Sequence, residues 1–179
     1  MPVITACDIV TAYGFGEAAC WQGISSGRSA IGAAERFSSA TFQSKNAALV
    51  PGLIYSGGQS LVEQMLTPLL QKHAAVIPPD ACVIFASTVG EIDILEKQVL
   101  EGAGDAQGSA LQSTLLKIQK LLNSTQEGVV ISSACASASA AIGYAASRIK
   151  NGSKDCFVVV AADAVTEFVF SGFSSLMAL

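Results

Sequence analysis

Cys135 lies in Gly128-Val-Val-Ile-Ser-Ser-Ala-Cys135-Ala-Ser-Ala-Ser-Ala-Ala-Ile-Gly143, where a β-branched apolar run gives way to small uncharged residues. This pattern predicts a strand, a sharp turn and a helix, with the thiol in the first turn of that helix. Unpaired backbone N–H groups and the positive end of the helix dipole favour a thiolate there, and so a nucleophile with no neighbouring base. A cysteine among alanines is more often a small packing residue, but nucleophiles at strand ends in α/β folds use this placement. Ala134, Ala136 and Ser137 are small enough to let a substrate approach the backbone.

The other reactive side chains are weaker candidates. His73 is the single histidine and falls near the end of an amphipathic helix, just before Pro78-Pro79, which suits a surface residue better than a general base. Asp163 and Glu167 follow an apolar run and are read as solvated acids. Cys7, Cys20, Cys82 and Cys156 lie in or beside apolar stretches and are read as packing. With no CxxC pair and no acid or cysteine at ligand spacing from His73, neither a disulfide framework nor a metal site is expected. Gly14-Phe-Gly16 lacks a third glycine at dinucleotide-fold spacing, and no GKS or GKT occurs, so no cofactor-binding loop is assigned.

The elements that must position Cys135 read as strands alternating with helices. Residues 3–10 have strand composition, and Thr11-Ala-Tyr-Gly-Phe-Gly16 is a turn. A short helix follows over residues 17–26, with Trp21 and Ile24 facing inward and Gly27 as its stop. Residues 32–58 form an extended loop pinned by Phe37, Phe42 and Tyr55. Ser60-Leu-Val-Glu63 is a capping box that opens a helix to His73, with Pro68 expected to kink it. Residues 82–86 are a buried strand, residues 91–100 a helix, and residues 102–108 a glycine-rich loop. The helix over residues 111–122 carries Leu111, Leu115, Ile118 and Leu122 on one stripe. The Cys135 helix, small on all faces and predicted to be buried all round, ends at Arg148, Lys150 and Asn151-Gly152, and residues 156–161 form the next strand. Continuous apolar strands between helices imply an α/β fold with a mainly parallel sheet covered on both faces.

Composition sets the outer bounds. The 179 residues suffice for one domain, and 51% are hydrophobic against 13% charged. So little charge suggests elements buried on more than one side, or a chain that needs a partner to cover an apolar face; an exposed apolar face of that kind is expected here. A net charge of −4 and the lack of a Lys/Arg run argue against nucleic acid. Residues 128–147 carry no charge, but their serines, glycines and alanines suit a packed strand and helix rather than a membrane span. The first residues lack a basic segment and cleavage site, and reduced cytoplasm is the expected compartment.

Several motifs together resemble the β-ketoacyl-acyl-carrier-protein synthases, condensing enzymes of the thiolase superfamily. Ser133-Ala-Cys135-Ala-Ser is similar to their active-site segment. The opening Val3-Ile-Thr…Val10-Thr-Ala-Tyr-Gly14, Trp21-Gln-Gly-Ile-Ser-Ser-Gly27-Arg-Ser-Ala-Ile31 and Arg36-Phe37 follow the order of their N-terminus. Phe168-Val-Phe-Ser-Gly172-Phe-Ser-Ser-Leu-Met-Ala-Leu179 resembles the segment after their cysteine helix. The resemblance implies a thiolase-like layered fold, with residues 1–179 as an N-terminal ketosynthase-like domain that is incomplete relative to the family. It also implies an acyltransferase in fatty acid or polyketide-type synthesis. Cys135 would accept an acyl group from carrier-protein phosphopantetheine and pass it to the carbanion of decarboxylated malonyl-carrier protein, with no other cofactor. The expected partners are acyl carrier protein and either a second copy or a complementary ketosynthase half. The family's two catalytic histidines and active-site lysine belong to a second half without counterparts here, and residues 90–128 are short for the family. The chain alone is therefore expected not to complete a condensation. A noncatalytic half-synthase that binds carrier protein or a complementary subunit is the alternative reading.

Overall fold

The fold is seen in a computed structural model, which describes residues 1–55, 58–102 and 106–179. Residues 56–57 of the predicted 32–58 loop and 103–105 of the 102–108 loop lie outside the described residues. The chain opens with a hairpin of β1 (Val10–Thr11) and β2 (Gly14–Phe15), then α1 (Glu17–Ser25). A second small hairpin joins β3 (Gly32–Ala33) to β4 (Asn46–Ala47). After it come α2 (Leu61–His73), β5 (Cys82–Ala86), α3 (Ile92–Glu101) and α4 (Leu111–Leu121). β6 (Val129–Ile131), α5 (Ser137–Lys150), β7 (Phe157–Ala161) and α6 (Glu167–Ser175) complete it.

The central sheet is parallel, in the order β6-β5-β7. Its middle strand is buried throughout, which is why its sequence shows no polar alternation. Side chains still alternate between faces. Val83 and Phe85 join Leu61, Leu66, Leu115 and Ile118 from α2 and α4 on one side. Ile84 and Ala86 meet Ala141 and Ala145 of α5 on the other. Burying a side chain the size of Phe85 contributes roughly 2–3 kcal/mol. The register pairs Ala86 with both Ile131 and Ala161, so the three strands end level at one edge of the sheet.

Local signals explain the helices. Glu63 N–H donates to Ser60 Oγ at 2.9 Å, the cap expected at the start of α2. The Asp93 carboxylate adds a second acceptor there, taking Leu61 N–H at 2.8 Å. Pro68 sits inside α2 without ending it. On α4 the predicted stripe is the buried one, with Leu115, Ile118 and Leu122 in the core and Leu111 packed against it. Arg148 and Lys150 lie in the last turn of α5, followed by Gly152 at φ 67°.

Three expectations are corrected. Residues 3–9 are not a strand: only Val10 enters β1, and Val3 and Ile4 are exposed. Strand composition needs a neighbouring strand for its backbone groups, and none of the described strands pairs with this segment. Trp21 and Ile24 face outward, since α1 buries none of its residues. The Cys135 helix is not enclosed; α5 buries only Ser137, Ala141 and Ala145, the stripe that meets the sheet. Ile142 on α5 and Phe168, Phe173, Leu176 and Met177 in and after α6 are exposed large apolar side chains.

Candidate active site

The level strand ends place three short segments side by side: residues 87–90 after β5, residues 132–136 after β6 and residues 162–166 after β7. Ligands in parallel α/β sheets bind beyond this carboxyl edge. Cys135 lies there in a tight turn, closed by Ala136 N–H donating to Ser133 O at 3.0 Å. Ala134, just before the thiol, has φ 48°, a conformation that costs a residue with a Cβ roughly 1–3 kcal/mol. Ser137 Oγ braces the turn, accepting Ser133 N–H and donating to Ala134 O, both at 2.8 Å.

One detail departs from expectation. Cys135 is not within the helix: α5 starts at Ser137 with Ala136 as its N-cap, so the thiol precedes the cap by one residue. The turn, rather than the first helical residues, presents it. Cys135 is exposed and lines an open, mostly apolar cavity of about 660 Å³ with Thr88, Val89, Asp163, Phe168 and Phe173. A larger residue at Ala134, Ala138 or Gly172, which line the same space, would encroach on it.

Asp163 is the residue that sequence reading undervalued. Although exposed, it is not merely solvated. Its Oδ1 accepts from Ser87 Oγ (2.6 Å), Thr88 N–H (3.1 Å) and Val89 N–H (3.2 Å), and its Oδ2 accepts from Thr88 N–H (3.0 Å). Its partners lie more than seventy residues away, so no local pattern announces them. The available signal was position, an acid directly after an apolar parallel strand. Glu167 occupies the first turn of α6, where a negative charge complements the helix dipole.

Glu96 and Arg36 hold the far wall. Glu96, buried on α3, accepts Phe168 N–H at 2.7 Å and is hydrogen-bonded to the Tyr55 hydroxyl. Burial, then the Glu96 contact, pushes the Tyr55 phenol far above its usual range. Arg36 donates to Val165 O (2.9 Å) and Val50 O (3.0 Å), and burial lowers its pKa. Phe37 and Phe42 pack on Phe170 with ring centroids 5.2 and 5.5 Å apart. The expected aromatic pins thus fasten the long loop to α6.

His73 is not brought to Cys135. It ends α2 and lines a different cavity, where its Nε2 lies 3.0 Å from Asp8 Oδ2. Lys72 Nζ donates to the same oxygen at 2.7 Å. The remaining cysteines divide: Cys82 is buried and Cys20 and Cys156 are half-buried, whereas Cys7 is exposed and donates to Glu17 at 2.7 Å, so it is not a packing residue. Its hydrogen bond to Glu17, then that carboxylate's charge, raises the Cys7 pKa. Among the described residues, no group of three or more His, Cys, Asp or Glu side chains is arranged to hold a metal. No helix among them is long and apolar enough to cross a membrane.

Residues 117–179, which include Cys135 and Asp163, match the sequence model of the beta-ketoacyl synthase N-terminal domain. In fold, the chain is similar to a beta-ketoacyl synthase from Burkholderia phymatum STM815, with a TM-score of 0.71 and 20% identity over 97% of this chain and 49% of that one. It is equally similar to the ishigamide ketosynthase/chain length factor, with a TM-score of 0.71 and 22% identity over 96% of this chain and 49% of that one. The chain therefore spans about half the length of these solved structures. A comparison with curated protein sequences gives no match. By sequence over its last third and by fold over nearly its whole length, the chain resembles the N-terminal portion of the β-ketoacyl synthases.

Proposed function

We propose that this chain, read as one N-terminal ketosynthase-like domain, supplies the acyl-accepting side of a β-ketoacyl synthase, with Cys135 as nucleophile. The observation that carries this is the Cys135 turn, strained at Ala134 and opening onto an apolar cavity within the segment that matches the family's domain. The Cys135 sulfur attacks the thioester carbonyl of an acyl group on carrier-protein phosphopantetheine. The backbone N–H of Cys135 stabilises the oxyanion, and the phosphopantetheine thiol leaves. Malonyl-carrier protein then loses carbon dioxide, and its carbanion attacks the Cys135 thioester. The Cys135 thiolate is released and a β-ketoacyl-carrier protein forms, two carbons longer. No cofactor beyond the carried phosphopantetheine enters these steps, and cytoplasm is the compartment that suits a free thiol.

Proton handling for the decarboxylation comes from a complementary ketosynthase half, because His73, which a second copy would only duplicate, is held by Asp8 at another cavity. That same observation favours a second reading, a noncatalytic half-synthase that binds carrier protein or its partner subunit. Incubation with octanoyl-carrier protein, followed by mass spectrometry of tryptic peptides, separates the two. The first reading expects a stoichiometric acyl adduct on Cys135 that is lost in Cys135→Ala; no adduct on a folded sample overturns it. The chain alone is expected to release no carbon dioxide from malonyl-carrier protein, and release would show that it needs no partner for that step.

A further inference from the structure

We propose that Asp163 is a positioning residue that sets the placement of Cys135, and with it the balance between productive acylation and indiscriminate reaction of the thiol. The inference rests on the acyl-acceptor reading for its meaning, but not for its test. The Asp163 carboxylate gathers three donors, Ser87 Oγ and the Thr88 and Val89 N–H groups, so it acts as an acceptor clamp on the turn that carries them. Ser87 Oγ, which donates to it, also accepts Gly90 N–H at 2.8 Å, where φ is 59°. The turn over residues 87–90 is therefore wrapped around one carboxylate from the next strand.

The other side of that turn reaches the cysteine. Ser87 N–H donates to Ile131 O at 3.3 Å, fixing the end of β6. Thr88 Oγ1 donates to Ala134 O at 3.4 Å, the carbonyl that also accepts from Ser137 Oγ and belongs to the strained residue preceding Cys135. Asp163, Thr88 and Cys135 all line the same cavity. A path of adjacent hydrogen bonds thus runs from β7 through the turn after β5 to the nucleophile after β6. Acyl transfer needs the carbonyl within about 3–3.5 Å of the sulfur, and small misplacements at such distances are costly.

The test measures two rates at Cys135 in the full chain: acylation by octanoyl-carrier protein and alkylation by iodoacetamide, with exposed Cys7 as internal reference. In Asp163→Ala, acylation is expected to fall about tenfold, while alkylation of Cys135 relative to Cys7 rises as the turn loosens. Asp163→Asn, which keeps one acceptor oxygen, falls between. Thr88→Val repeats the Asp163→Ala pattern more weakly, and Thr88→Ser, which keeps the hydroxyl, restores wild-type rates. General loosening would instead move Cys7 and Cys135 together. An unchanged Cys135-to-Cys7 alkylation ratio in a folded Asp163→Ala overturns the proposal. Should that variant not fold, equal ratios in Thr88→Val and Thr88→Ser overturn it. If the wild-type chain is not acylated at all, the acyl-acceptor reading fails, and the alkylation ratios still decide the role of Asp163.

Discussion

β5 and the N-terminal residues 3–10 are both short, mostly apolar runs containing β-branched side chains, yet their surroundings are opposite. Every residue of β5 is buried between two layers of helices, whereas Val3 and Ile4 are 67% and 78% exposed. The same contrast holds on a larger scale. Among the described residues before Ser60, only Ala34 is buried, and the two hairpins there pair just two residues a side. From Ser60 onward, strands and helices share one core cluster on each face of the sheet. Apolar composition states what a segment can bury, and topology determines whether anything is there to bury it.

The contrast can be broken by mutation, and the largest effect should come from its buried side. Phe85→Ala empties the centre of the core and is expected to cost about 3–5 kcal/mol, a large share of the stability of an ordinary domain. Trp21→Ala, on a helix that buries nothing, should stay within about 0.5 kcal/mol despite removing a larger ring. Urea denaturation of both variants measures the difference; equal losses would mean that α1 is covered in solution. A smaller effect is expected where the two regions are joined. Arg36→Ala leaves the Val165 and Val50 carbonyls without their donor and should cost about 1–3 kcal/mol. It should also raise protease sensitivity within residues 36–50, readable by limited proteolysis.

The smallest effect concerns Asp8, where the N-terminal region touches α2. A hydrogen bond from Lys72, working against partial burial and aided by His73, lowers the Asp8 carboxyl to about 2. Its folded pKa lies below its unfolded value near 3.9, so this contact stabilises the fold above about pH 4. The contribution is lost as the pH falls through about 2. Lys72→Met should move the Asp8 carboxyl toward its ordinary value in a carbon-detected NMR titration, and an unmoved midpoint would contradict the assignment.

What the sequence discloses divides along the same line. β5, β7, the Ser60 cap and the α4 stripe are readable because their causes are local: apolar run length, a side-chain cap and a helical repeat. The site is half readable for the same reason. The small-residue turn at Cys135 has a local pattern, while the Asp163 clamp and the Glu96 and Arg36 braces join residues many positions apart. Residues 3–9, Trp21 and the outer faces of α5 are not legible in the same way, because their burial depends on a neighbouring surface, which no periodicity encodes.

The strand order has a consequence in time. β5 occupies the middle of the sheet, but its partners arrive about 45 and 75 residues later in the chain. Such distant pairings must close long loops before they gain any contact energy, which slows folding relative to helical domains. On the ribosome, Cys135 leaves the exit before Asp163 is free to hold the turn beside it. The nucleophile is therefore synthesised before the strand that fixes its place, and the cavity around it closes only after β7 has docked.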